Sequence, residues 1–324
     1  MRYVFLLNPA AGRQDCTEQL RLQAEGALRR AGVPQADWAI CRTEYRGHAR
    51  ALAEAAAREG SPVRIFAAGG DGTFNEALTG ARPYPNAAVG CIPTGSGNDF
   101  LRTFGTKAEF LDLDAQLAGG VISIDLMETG LGLSASVCAA GLDAQVAAGA
   151  ACYRHNPLFH GEAAYLLSAG REICGPLGRR ARFTVDGETF EADILMCAAC
   201  NTRDYGGGFR AAPAAQPDDG LIDLVVVRRM SRFTLLRLLN LYKQGRHFAG
   251  GQLAPGLARY LIYRRAREIT VELTDGRGPI TATADGECAQ VSRLDIRLLP
   301  GAARVVLPAS ACRRRQTESC PANI

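Results

Sequence analysis

Three glycine-containing segments in the front third of the chain carry the residue types that hold phosphate: Asn8-Pro9-Ala10-Ala11-Gly12-Arg13, Gly69-Gly70-Asp71-Gly72-Thr73 and Pro93-Thr94-Gly95-Ser96-Gly97-Asn98-Asp99. Glycines at such places let backbone N–H groups come close to a phosphate, and a helix that starts just after adds its partial positive charge. Thr73 and Ser96 supply hydroxyl donors. Asp71 and Asp99 would repel a phosphate, but they make chemical sense as ligands, direct or through water, of a divalent cation riding on it. One such segment alone is equally well a tight turn. Three at one sheet edge point to a bound nucleotide. Neither the Walker spacing nor the GxGxxG dinucleotide fingerprint occurs in the right context, so the nucleotide is held in another way.

These segments need elements that bring them together. Tyr3 to Leu7, Trp38 to Cys41, Val63 to Ala68 and Ala87 to Ile92 are short apolar runs, and helical spacing separates them at Thr17 to Ala31, His48 to Ala57 and Thr73 to Leu78. Repeated strand–loop–helix units predict a parallel sheet with flanking helices, whose ligands lie beyond the carboxyl ends of the strands. After about Asp125 the pattern changes. Leu131–Cys138, Arg182–Val185, Thr189–Ala199, Leu221–Val227, Glu268–Leu273, Ile280–Ala284, Leu294–Leu298 and Arg304–Leu307 have the look of short strands, and Asp186-Gly187 is a hairpin signal. The fold class expected is an α/β nucleotide-binding domain plus a mainly antiparallel β-sandwich domain. The expected boundaries are 1–125 for the first, with a segment near 300–312 able to return to it, 126–299 for the second, and a flexible polar tail at 313–324. Two helical patches interrupt the second half, Glu162 to Ile173 and Phe233 to His247. The latter sets Leu235, Leu236, Leu238, Leu239 and Leu241 beside Arg232, Arg237, Lys243 and Arg246. It suits an anionic membrane, but a core-packed helix with a solvated basic face is the favoured reading.

Composition narrows the function. The 324 residues include 37 Lys and Arg against 33 Asp and Glu, a formal net charge of only +4. That balance excludes a protein whose affinity comes mainly from neutralising nucleic-acid phosphates. No apolar run approaches the ~18 residues of a membrane span, and the N-terminal Met1 to Leu7 is too short for a signal peptide and is expected to be a strand, which implies a cytoplasmic protein. The 11 cysteines are scattered and odd in number, and so are expected to be reduced. Cys197-Ala-Ala-Cys200 has metal-ligand spacing, but it sits in a strand-like apolar run and core packing is favoured. The histidines (His48, His155, His160, His247) have no partner at metal or triad spacing and are expected at the surface or in caps. No Gly-x-Ser-x-Gly elbow suggests serine hydrolysis.

In this order, the three loops, with Phe74-Asn75-Glu76 following the second and Phe100 the third, resemble the diacylglycerol kinase catalytic domain, whose family includes bacterial lipid kinases and is shared by sphingosine and ceramide kinases. Tyr205-Gly206-Gly207-Gly208, Ala211-Ala212-Pro213-Ala214, Asp218-Asp219-Gly220-Leu221-Ile222-Asp223 and Asp285-Gly286-Glu287 extend the resemblance over nearly the whole chain.

The resemblance implies an ATP- and Mg²⁺-dependent lipid kinase that transfers the γ-phosphoryl group to a hydroxyl of diacylglycerol or a related lipid. Such an enzyme would be cytoplasmic, peripheral to the membrane and placed in phospholipid metabolism, with a site in the cleft between the two domains. Family ATP-binding positions fall on Asn8, Pro9, Ala10, Ala11, Gly12, Thr43, Gly69, Gly70, Asp71, Gly72, Thr73, Phe74, Asn75 and Ser96. The family's catalytic base falls on Asp285, with Glu287 a weaker candidate for orienting base or substrate; a carboxylate can take the hydroxyl proton as the phosphoryl group moves. Taken alone, Asp285-Gly286 is a hairpin turn. Asp71, Asp99 and Asp125 match acidic positions around the nucleotide's Mg²⁺. A second, structural cation is implied at Gln216, Asp219 and Leu221. A kinase of a soluble acceptor such as NAD, and a catalytically silent nucleotide-binding regulator, remain as alternatives. The lipid, the mode of membrane docking and the oligomeric state, a homodimer included, are left open.

Overall fold

Val63–Gly69 is buried at six of its seven positions, as suits a parallel strand covered on both faces. In the computed structural model, which describes residues 1–12, 14–95, 97–152 and 162–318, it is central to one of two compact units. The first unit comprises residues 1–124 and 301–324, the second residues 125–300. The first unit begins β1 (Arg2–Leu7), α1 (Thr17–Arg30), β2 (Trp38–Arg42), α2 (His48–Arg58), β3 (Val63–Gly69), α3 (Asp71–Ala81) and β4 (Ala87–Pro93). Three short helices follow: α4 (Asp99–Arg102), α5 (Lys107–Leu111) and α6 (Leu113–Leu117). The strands pair in parallel as β2–β1–β3–β4, with Phe5 beside Phe66 and Phe66 beside Gly90. Beneath them Leu20, Ala24, Ala27 and Leu28 of α1 pack against Phe5, Phe66, Ala68 and Ile92. The three glycine-containing loops leave the carboxyl ends of β1, β3 and β4, the end where parallel sheets present ligand sites.

The second unit takes in the second half of β5 (Gly120–Thr129), then β6 (Gly132–Ser134), β7 (Val137–Gly141), α7 (Leu142–Cys152), α8 (Glu162–Cys174), β8 (Arg179–Val185) and β9 (Glu188–Cys200). It continues through β10 (Ile222–Arg228), α9 (Arg232–Lys243), the two-residue strands β11 (Phe248–Ala249) and β12 (Gln252–Leu253), β13 (Leu261–Ala266), β14 (Glu268–Leu273), β15 (Ile280–Ala284) and β16 (Glu287–Val291). The first part of β17 (Arg293–Leu307) also belongs to it, and α10 (Ala309–Glu318) ends the described chain. Its pairings are antiparallel, in the order β16–β15–β7–β9–β8–β14–β17, with β10 bridging β9 and β13. The apolar run Ile194 to Cys200 is a strand buried on both faces: Ile194, Cys197 and Ala199 enter one core with Phe183, Leu224 and Ile269, while Leu195, Ala198 and Cys200 enter another with Val225, Leu235 and Tyr242.

Several sequence expectations need correction. Leu131–Cys138 is two strands, interrupted at Ala135-Ser136 because the amides there bond a side chain rather than a neighbouring strand. Leu294–Leu298 and Arg304–Leu307 are one strand, β17, which runs through Pro300-Gly301 and pairs with β14 before them and with β4 after them. The Phe233–His247 patch is helical only over α9. The polar tail expected to be flexible from residue 313 continues as α10 to Glu318, held where Arg314 pairs with Glu109 and donates to the Phe104 carbonyl at 2.8 Å. Among the described residues no helix is long and apolar enough to cross a membrane.

Candidate active site

The loops after β1, β3 and β4 are stitched to one another by their own side chains. Asn8 Nδ2 donates to Thr73 Oγ1 at 2.8 Å, joining the first loop to the start of α3. The Thr94 and Gly95 amides both donate to the Gly69 carbonyl at 3.0 Å, joining the third loop to the second. Asp71 completes the set, because its Oδ1 accepts the Asp99 N–H at 2.8 Å and the Phe100 N–H at 3.4 Å. A methyl group on Gly95 would stand 2.5 Å from the Gly70 Cα, so contact between the two loops demands glycine there. Gly72 differs: a Cβ there would meet nothing within 4 Å, so it faces open space at the first turn of α3. In the third loop the buried Thr94 Oγ1 and Asn98 Oδ1 have no hydrogen-bond partner. An open cradle at a helix start, with a waiting hydroxyl and two half-buried carboxylates, fits a metal-bound polyphosphate.

Not every residue matched to the nucleotide has a group turned to it. Phe74 is a packing residue: its ring lies 4.5 Å from that of Phe100 and its amide donates within α3 to Gly70. The Ala10 amide is bonded to Asn8 Oδ1 at 2.9 Å and the Ala11 amide to the Asn8 carbonyl at 3.2 Å, which leaves them to shape the loop beside Pro9. Gly12 closes that loop with φ +84°, and a Cβ there would stand 2.6 Å from the Thr94 carbonyl oxygen. Thr43 is buried, with its amide on the Leu7 carbonyl at 2.9 Å. Asn75 accepts from Thr79 Oγ1 one helical turn on. Ser96, with Arg13, lies outside the described residues.

In the second unit Asp285 is both the turn residue that its neighbour Gly286 implies and a held carboxylate. It occupies the left-handed region at φ +46°, Gly286 follows at +92°, and Ala284 and Glu287 pair across this two-residue turn. That geometry turns the carboxylate back onto the break between β6 and β7. There it accepts the Ser134 hydroxyl at 2.9 Å and the amides of Ala135, Ser136 and Val137 at 2.6, 3.1 and 3.1 Å. Burial raises its pKa above the ordinary carboxylate value, and the three amides and the hydroxyl oppose the rise. The result is a fixed carboxylate with enhanced basicity. Glu287 is exposed at the start of β16. A second carboxyl, Asp143 at the start of α7, is not among the residues singled out in the sequence. It accepts the Tyr205 hydroxyl at 2.8 Å, and burial pushes its pKa up to about 6. Both carboxylates help burial raise the Cys138 thiol. Neither the cradle nor Asp143 has a motif of its own in the sequence.

The remaining acids are divided between the two units. Asp71 and Asp99 are brought together in the first unit, whereas Asp125 opens the second. Its Oδ2 accepts the Gly220 amide at 2.8 Å, its own amide donates to Pro217, and its carbonyl accepts from Asn201, so it braces the loop carrying Gln216, Asp219 and Leu221. In that loop Asp219 Oδ1 accepts the Leu221 amide at 3.1 Å and Oδ2 pairs with the Arg265 guanidinium. Among the described residues no group of three or more acids, cysteines or histidines is arranged to hold a metal. The Arg265 guanidinium already faces the Asp219 carboxylate, with the carboxylates of Asp125 and Asp218 close by.

Cys197 and Cys200 are free buried thiols, with burial pushing Cys197 up to about 12, so they pack rather than bind metal. His48 accepts the Glu44 amide at the start of α2. His247 corrects the expectation of a surface residue: it is fully buried between Tyr242 and Phe248, its Nε2 2.9 Å from the Ala211 carbonyl. His155 and His160 lie outside the described residues.

Comparison with known proteins agrees with this geometry. Residues 2–129 match the family described as "Diacylglycerol kinase catalytic domain", and residues 136–307 the one described as "YegS C-terminal NAD kinase beta sandwich-like domain". The chain is 32% identical over 305 residues to the Pseudomonas fluorescens protein named "Probable lipid kinase YegS-like", covering 92% of this chain and 93% of that one. It is 30% identical over 298 residues to a diacylglycerol kinase of Mycobacterium tuberculosis, covering 86% and 91%. A crystal structure of a diacylglycerol kinase from Bacillus anthracis superposes with TM-score 0.68 at 18% identity, over 96% of this chain and 98% of that one, which shows a shared fold. From the glycine loops of the first unit to the strands of the second, the chain belongs to the diacylglycerol kinase catalytic-domain family, with the YegS-type C-terminal domain.

Proposed function

We propose that this protein is an ATP-dependent lipid kinase that transfers the γ-phosphoryl group to a hydroxyl of diacylglycerol or a related lipid at a membrane surface. The observation that carries the reading is the Asp285 carboxylate, fixed by four donors and made more basic by burial. Phosphoryl transfer to an alcohol needs positioning, charge neutralisation and an acceptor for the hydroxyl proton. In this reading the α3 start at Gly72 and Thr73, with Gly12, Thr94 and Ser96, binds the triphosphate. Asp71 and Asp99, with Asp125, hold Mg²⁺ largely through water; the bound ion neutralises charge on the transferred group. As the lipid oxygen attacks the γ-phosphorus, the bond from that phosphorus to the β,γ-bridging oxygen breaks and ADP leaves. The hydroxyl proton passes to Asp285, which Glu287 helps to orient.

The test is transfer of label from [γ-³²P]ATP to a panel of hydroxyl lipids in mixed micelles, with NAD as the soluble acceptor, by the native protein and Asp285→Asn. Label in lipid that depends on Asp285 supports the reading. Label only in NAD would favour a soluble acceptor, the second reading, which rests on the NAD kinase-like description of the second domain. ATP binding without transfer to any acceptor would favour a silent regulator.

A further inference from the structure

Helix α9 buries little of its apolar surface. Only Leu235 and Tyr242 are buried, while Phe233 is 79% exposed, Leu236 58% and Leu239 37%. At 100° per residue these three side chains share an arc of about 120° on the outer face. The reading of a core-packed helix with a merely solvated basic face therefore fails: the outward face is itself apolar. Single exposed hydrophobics need no explanation, but three in a row on one helix do.

Along the chain, the charge on either side of this stripe has one sign. Between Asp223 and Glu268 the chain contains no acidic residue, yet it carries ten of the 37 Lys and Arg residues. In a chain with a net charge of only +4, that is a local concentration of positive charge. On α9 itself Arg237 flanks the stripe on one side, while Arg232 and Lys243 fall on the stripe's own arc at the two ends of the helix. Arg237 and Arg246 are exposed and have no partner among the described residues. Arg232 is committed instead to the helix's anchorage, donating to the carbonyls of Ile173, Cys174 and Gly175 at the end of α8. Ser231 caps the first turn through the Thr234 amide. A helix fixed at its start, apolar along its outer face and edged by bases matches an interfacial helix lying in the headgroup plane of an anionic bilayer.

We propose that α9 docks this protein on anionic lipid, with Phe233, Leu236 and Leu239 entering the acyl boundary and Arg237, Lys243 and Arg246 meeting the headgroups. The inference deepens the lipid-kinase reading by assigning the surface through which the enzyme reaches its substrate, and it rests on that reading only for its purpose. The test is flotation of the full-length protein with vesicles of phosphatidylcholine alone or containing 30% phosphatidylglycerol, about the anionic share that attracts basic segments. The native protein is compared with Phe233→Ser/Leu236→Ser and with Arg237→Gln/Arg246→Gln. All of these side chains are exposed, so circular dichroism should report unchanged folding. Binding is expected only to the phosphatidylglycerol vesicles and should fall at least about tenfold in either double variant. Transfer to a short-chain acceptor in detergent should stay at the native level. Unchanged vesicle binding in both variants overturns the inference, as does a switch from dimer to monomer in the serine variant with vesicle binding intact, which would make the stripe a contact between copies. Lost binding in a protein that phosphorylates no lipid would uphold the docking surface and overturn the kinase reading instead.

Discussion

The Asp71 carboxylate accepts the backbone N–H of Asp99 at 2.8 Å, so a side chain at the start of α3 caps the start of α4. An acid matched to a metal-binding role thus also holds two phosphate loops together. Asp71→Ala should destabilise the protein by about 1–2 kcal/mol, the worth of a helix cap, whereas Asp71→Asn keeps an acceptor oxygen and should cost less. Both should weaken Mg²⁺·ATP binding because both remove the charge. Urea unfolding and calorimetry read the two effects separately. Equal destabilisation by Asn and Ala would reject the cap.

The two glycines that line this site for opposite reasons give a paired experiment. Gly95→Ala puts a methyl group 2.5 Å from Gly70 and should push the third loop from the second, lowering ATP affinity and stability together. Gly72→Ala meets no protein atom and should stabilise α3 by up to about 1 kcal/mol, since alanine is the better helix former. If the open space holds phosphate, the same substitution should still cost at least about tenfold in ATP affinity. A Gly72→Ala protein that binds ATP normally would move the phosphate elsewhere.

Asp285→Asn replaces one accepting oxygen by an NH₂ group amid four donors. Turnover should fall by at least about 10²-fold, with ATP affinity unchanged, and stability should drop by about 1–3 kcal/mol because a cradle donor loses its acceptor. In the native protein kcat/KM should rise with pH as Asp285 ionises, with its acid limb above that of an ordinary aspartate because burial raises the pKa. Native turnover in the variant would remove Asp285 from the chemistry.

Asp223 predicts a pH dependence of stability. It is fully buried, it accepts the Tyr263 hydroxyl at 2.5 Å, and burial pushes its pKa up to about 6. Its contribution is fully present below the unfolded-state value near 3.8 and is lost as pH rises through about 6, because the folded state then holds a proton the unfolded chain has released. Relative to Asp223→Asn, the native protein should lose up to about 3 kcal/mol of unfolding free energy between pH 4 and 7. A flat difference across that range would contradict the raised pKa.

The pairing of Asp219 with Arg265 predicts the response to chelation. Without nucleotide, EDTA should leave the midpoint of thermal unfolding within about 1 °C, since Arg265 already balances the Asp219 charge that a cation would bind. A marked drop that Mg²⁺ restores would reinstate the ion.

The sequence disclosed what depends on local chemistry. The loops after β1, β3 and β4 and the Asp-Gly turns at 186–187 and 285–286 were visible because glycine, proline and aspartate mark strand ends and turns wherever they lie. The amide cradle was hidden, because a backbone N–H has no letter, and the run Leu131 to Cys138 gives no sign that three of its amides will face a carboxylate some 150 residues away. Arg265 was hidden for a related reason: its approach to Asp219 depends on β10 pairing with β13, a long-range register that periodicity does not encode. The outward face of α9 was misread because leucine content does not say which leucines find a partner.

Strand β17 has a consequence for biosynthesis. Val305 and Val306 pair with Val89 and Gly90, so a sheet that starts with β1 gains a strand from residues some two hundred positions after β4. A ribosome therefore releases more than two hundred further residues after β4 before β17 can pair with it, and until then the flank of β4 stays bare and adhesive. Truncated genes ending near residue 124 should yield insoluble product, and maturation in the cell should lean on chaperones that shield this flank until β17 emerges.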